Sequence, residues 1–234
     1  MNKTQACAIV LETIQAIPSV LPYLSDKTRA AIKAGYIEGG VPEINARYNK
    51  EIVAAMTTYF EGGASTAPRN SFRQAMTEAF NSAMDTGWID GGQKLPLDED
   101  AAAWLQDRIS QEAGFIGTVF EQIKELRKDA ELDFFAWVTR KADGYTGTVS
   151  TIYNQAKLFA DKNKMLTFVG EDGDPNHICQ SINGTCVRMK GKRHKASWWI
   201  AHDLIPYPGN TNFDCGAWRC QHYLEDDNGK RFTL

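Results

Sequence analysis

The sequence predicts a mainly α fold: a helical N-terminal body over residues 1–160 and a small irregular α+β C-terminal module over residues 161–234, stabilised by Cys and His. Apolar side chains recur at helical spacing through the first 160 residues, and that period is lost after Lys164. From Met165 onward the chain gathers four of its five cysteines, all four histidines and three of its six tryptophans. They stand among Gly, Asn, Asp and Pro at short intervals, so this stretch is mostly turns and needs a staple.

From Thr4 to Ile17 the pattern is helical, ended by Pro18 and Pro22. Ser25 suits the cap of a short helix closing at Gly35 or at Gly39-Gly40. Pro42 takes a first helical position. Tyr48, Ile52, Val53, Met56, Tyr59 and Phe60 then share one face until Gly62 and Gly63 stop the helix. The next helix is predicted from Asn70 or Ser71 to Gly87, carrying Phe72, Met76, Phe80 and Met84, with Trp88 and an IDGG loop after it. Asp98 opens another, and its acidic first turn suits the positive end of a helix dipole. Phe115, Ile116, Val119, Phe120, Ile123 and Leu126 continue its stripe. After a turn near Lys128 and Asp129, LDFFAWVTRKADG reads as a short helix and Tyr145 to Asp161 as one more.

Acid-Gly-Gly occurs at Glu38, Glu61 and Asp90 with unequal separations, which makes these helix terminators and not a repeat. The aromatic and methionine stripes are core and imply no cofactor. In the tail, MLTFV reads as a strand, CVRM as a second, and WWI as a third or a short helix.

A chain of 234 residues buries a sufficient core without disulfides. A formal net charge of -3 does not mark the whole chain as a nucleic-acid binder. The tail's positive charge is concentrated between Arg188 and Lys195. No apolar run reaches the roughly 20 residues of a membrane span, and nothing resembles a secretory leader, so a reducing cytosol and no membrane partner are expected. There, clustered cysteines favour metal or thiol over disulfide.

Cys179, Cys215, Cys220 and His222 form a candidate set for one structural Zn2+, with Cys186, His177 and His194 as alternatives. Thiolate and imidazole are the donors tetrahedral zinc accepts, and a metal holds together a segment short of apolar surface. The spacing CxxxxC followed by xH is not a standard finger, so packed thiols and disulfides stay open beside metal. GEDGDPNH lacks an ordered EF-hand loop and any phosphate-loop pattern, and reads as a solvated acidic turn. Arg188, Lys190, Lys192, Arg193 and Lys195, with Trp198 and Trp199 behind them, read as a contact for an anionic partner, or as a solvated hairpin tip with the tryptophans in the core. His202 and Asp203 have no nucleophile elbow or HExxH helix beside them, and Cys7 lacks a local histidine, so no enzyme is expected.

The order of these tail motifs resembles the C-terminal module of the phage head morphogenesis family, the minor head proteins similar to phage Mu protein F. Over about residues 145–225 a hydrophobic strand is followed by an acidic Gly-rich turn, Cys179-QSINGT, tryptophans, a Pro-Gly-Asn and CGAWRCQH. Cys179 matches the second cysteine of the family's first pair, Gly184 its glycine, Pro208 and Gly209 its turn, and Arg219-Cys220 its ending. Asn176 and His222 stand where the family's first and last cysteines would be, leaving three cysteines and one histidine. The resemblance implies a low-copy structural protein of the virion head, present in the host cytoplasm during assembly. Its implied partners are the portal and major capsid proteins, and packaged DNA through the basic run. The rival expectations are a zinc-stabilised nucleic-acid-binding protein and a metal-dependent hydrolase with an open zinc position near His202.

Overall fold

In the computed structural model, the described residues are 40–62, 65–128, 133–170, 184–207, 210–214, 222–229 and 231–232. The helices expected over Thr4–Ile17 and after Ser25 lie outside them. Four long helices come first among the described residues: α1 (Val41–Gly62), α2 (Ala67–Asp90), α3 (Glu99–Leu126) and α4 (Phe134–Ala160). β1 (Met165–Gly170), α5 (Thr185–Met189), β2 (Arg193–Lys195), α6 (Ala196–Ala201) and β3 (His222–Glu225) follow. The described chain is therefore mainly α with one small sheet.

Helix α1 buries Tyr48, Ile52, Met56 and Tyr59 on the face read from their spacing. Helix α2 starts at Ala67, three residues ahead of the expected position, because Pro68 occupies its first turn, where a missing N–H costs nothing. It also runs through Gly87 to Asp90, so Trp88 is helical and buried, with Gly91 as the cap. Gly87 is thus not a stop signal. It is the point where α2 meets α4 so closely that a Cβ would overlap the Tyr153 carbonyl and sit 2.7 Å from the Ala156 Cβ.

The Asp98 carboxylate caps α3, accepting the Ala101 N–H at 2.9 Å, and Asp133 caps α4 in the same way at 3.0 Å from the Ala136 N–H. The break expected near Gly144 does not occur. Val138, Ala142, Val149, Ile152 and Ala156 fall on one buried face of α4, and burying that continuous stripe outweighs an interior glycine, which costs only about 1 kcal/mol. These helices share one core, with Tyr59 edge-on to Phe120 at 4.7 Å and Phe60 stacked on Phe134 at 3.8 Å.

A second core holds Leu158, Leu166, Phe168, Cys186, Ala196, Trp199, Ile205, Phe213, Leu224 and Phe232. Leu158 belongs to α4, so the last turn of that helix enters the tail core, and Ile200 touches both clusters. The sheet order is β2-β1-β3, antiparallel throughout. Alternation along β1 sends Leu166 and Phe168 inward, as expected for MLTFV.

CVRM is helix α5, not a strand. Thr185, Cys186 and Met189 turn inward at helical spacing, and the Asp214 carboxylate takes the Thr185 N–H at 2.6 Å. The second strand lies instead within the basic run, and WWI forms helix α6.

Candidate functional site

Of the candidate metal ligands, Cys179, Cys215, Cys220 and His177 lie outside the described residues. His222 opens β3, opposite Gly170 at the end of β1. It is buried, and its ring stacks 5.4 Å from that of Phe168. The segment carrying Cys179 begins directly after Gly170, and the one carrying Cys215 and Cys220 ends directly before His222, so both join the described chain at this corner of the sheet. Cys186 is fully buried in the tail core.

His194 sits on β2 opposite Leu166, two strands across and four residues along from His222. Strand spacing and rise place the two backbones about 16 Å apart, with Phe168 and Trp199 between them. His194 and His222 therefore do not share one ion. Among the described residues no three His, Cys, Asp or Glu stand together as a metal site.

The basic residues separate into different environments. Arg188 donates to the Thr185 hydroxyl at 3.0 Å, and Lys190 caps α5. Arg193 forms a forked pair with Asp227, at 2.9 and 2.7 Å, reaching across β1 to do so. The Lys195 ammonium donates to the neutral Asn163 amide at 3.3 Å. Lys192 is exposed at the start of β2, and no carboxylate among the described residues pairs with it.

The tryptophans behind this run are both occupied. Trp199 is fully buried and donates its indole N–H to the Leu166 carbonyl at 3.2 Å. Trp198 is half-buried, with His194 stacked at 3.8 Å and His202 at 4.0 Å from its ring. Two rings that close to one centroid overlap unless they take opposite faces, so the indole is sandwiched and neither face is open to a base.

His202 Nδ1 lies 2.8 Å from the Trp198 carbonyl. A carbonyl only accepts, so Nδ1 carries the proton and Nε2 is left facing outward. Asp203, beside it, turns to other partners, accepting from the Tyr207 hydroxyl at 3.0 Å and the Asn212 amide at 2.8 Å. Met165, Arg193, His194, Lys195, Trp198 and His202 are among the residues lining an open depression of about 530 Å³ beside β2.

A buried polar seam joins body and tail. Arg108 of α3 pairs with Glu112 at 2.7 Å and lies over the Tyr207 ring at 5.5 Å. Burial pushes the Glu112 carboxyl above the usual range, and the attraction of Arg108 only partly opposes this. Burial likewise raises Asp203 against the Tyr207 and Asn212 hydrogen bonds. Asn210 is buried and donates to the carbonyls of Asp203 and Ile205 at 2.8 and 2.9 Å, pinning the loop that carries Tyr207. Lys162 adds an outer tie, at 3.0 Å from Asp98 and 2.6 Å from Asp100 at the start of α3.

The seam was not read from the sequence. Arg108 and Glu112 are four apart, as ordinary surface pairs are, and nothing local shows that the tail covers them. The Trp198–His202 spacing of four did carry a signal, that of two rings on one helical face. No family model, curated protein or solved structure matches the chain.

Proposed function

We propose that the chain is a structural component of a phage head, a minor head or head morphogenesis protein associated with the portal or inner capsid and acting in head assembly or DNA delivery. The observation that carries this reading is the order of the tail motifs over residues 145–225. One end of each segment bearing the cysteine motifs joins the sheet at the paired residues Gly170 and His222, a place where a clamp would close a short domain. The exposed faces of α3 and of the first half of α4 offer surfaces for neighbouring head proteins. Cys179, Cys215, Cys220 and His222 make a chemically suitable tetrahedral zinc set, in which the metal is structural and the protein is not an enzyme.

The experiment is an amber codon at Lys164 in the phage that encodes the chain. Infectious titre collapses on a non-suppressing host and returns on a suppressor. An undiminished titre overturns the proposal.

The reading as a nucleic-acid-binding protein draws on the exposed run from Arg188 to Lys195. Base stacking on the two tryptophans gives it no help, since Trp199 is buried and both faces of Trp198 are covered.

A further inference from the structure

The outer edge of β2 is built to take another strand. Phe168 donates to the Lys192 carbonyl at 2.9 Å, and Ala196 donates to the Lys164 carbonyl at 2.8 Å. In that antiparallel register residues 192, 194 and 196 turn their backbone groups toward β1, and Arg193 and Lys195 turn theirs away. The N–H and C=O of Arg193 and the N–H of Lys195 thus point outward, while the Lys195 carbonyl belongs to the N-cap of helix α6. Side chains alternate across the same strand. Arg193 and Lys195 share one face, and His194 stands on the other against Trp198, beside the open depression.

These features choose among occupants. A second copy pairing edge to edge would bring Arg193 and Lys195 against Lys195 and Arg193, a like-charge opposition that sheet edges use to prevent self-association. A nucleic-acid backbone presents phosphate acceptors only, leaving the outward carbonyl of Arg193 unmatched, and it finds no open indole face. An extended acidic peptide matches every part. Its backbone supplies both donors and acceptors, carboxylates at alternate positions meet Lys195 on the face it shares with Arg193, and the intervening apolar side chains enter the depression by Trp198 and His202. Arg193 already holds a carboxylate, that of Asp227, in forked geometry.

We propose that the open edge of β2 is a docking site for an extended acidic segment of a partner protein, bound as an added strand. The inference does not depend on the virion assignment.

The test uses the full chain and fluorescently labelled acetyl-(Glu-Val)4-amide, read by anisotropy, with two further peptides N-methylated at alternate amides, one at each set. The unmodified peptide binds. One of the two methylated peptides loses at least about 10-fold in affinity, because only one set of amides faces the protein. Lys195→Glu weakens the unmodified peptide at least 10-fold while near-ultraviolet circular dichroism stays unchanged.

Equal binding of all three peptides reduces the contact to charge and overturns the proposal. Absence of binding at millimolar peptide overturns it too, as does a dT8 oligonucleotide that outcompetes the peptide.

Discussion

Gly87 of α2 faces the backbone carbonyl of Tyr153 on α4, with no room between them for a single carbon. Gly91, one turn on, meets Ala160 in the same manner. The two helices approach as closely as they do because these positions carry no side chain. Replacing Gly87 with Ala forces α2 away from α4, and overpacking of this kind costs about 3 kcal/mol. Urea denaturation of Gly87→Ala is expected to show that loss, and a variant as stable as the parent would contradict the close crossing.

The opposite result is expected at Gly144. It lies inside α4, and a Cβ added there meets nothing within 4 Å. Gly144→Ala removes backbone freedom from the unfolded chain and gains about 0.5–1 kcal/mol. Gly114 in α3 has the same surroundings, and the same substitution there should add a similar amount. Destabilisation by either change would mean that the helix bends at its glycine.

Glu112 gives a pH-dependent prediction. Its carboxyl is raised by burial in the folded state above its value in the unfolded chain, so ionisation disfavours folding. The contribution is favourable below about pH 4, where both states hold the proton, and is lost as pH rises through the folded value. Glu112→Gln removes this titration. Measured by urea denaturation from pH 4 to 8, the wild type should lose stability relative to Glu112→Gln as pH rises, then level off. A difference that is flat, or that runs the other way, would show that Arg108 and not burial governs the site.

The proposed clamp is tested by elemental analysis of protein purified without chelator. About one zinc per chain is expected, lost when Cys179, Cys215 or Cys220 is changed to Ser, with the tail unfolding first on removal of metal. Metal-free protein of unchanged stability would remove the clamp.

Much of the body was legible because its helices follow periodic burial: Tyr48, Ile52, Met56 and Tyr59 announce their face without any tertiary knowledge. Gly87 and Gly144 were misread because a glycine in a helical pattern ends a helix, serves a close approach or is merely tolerated, and only the neighbouring helix decides which. CVRM was misread as a strand for a related reason. Its helical state depends on Asp214, 29 residues away, capping the Thr185 N–H. The basic run was visible as charge, but its division into a paired Arg193 and a Lys192 without a carboxylate partner rests on Asp227, which comes alongside only when β3 pairs with β1.

The account stands most directly on where the protein is found. Quantitative mass spectrometry of density-purified phage particles should detect the chain at low copy relative to the major capsid protein, retained after washing in high salt. Its absence from particles, while it is abundant in the infected-cell lysate, would contradict a structural role in the head.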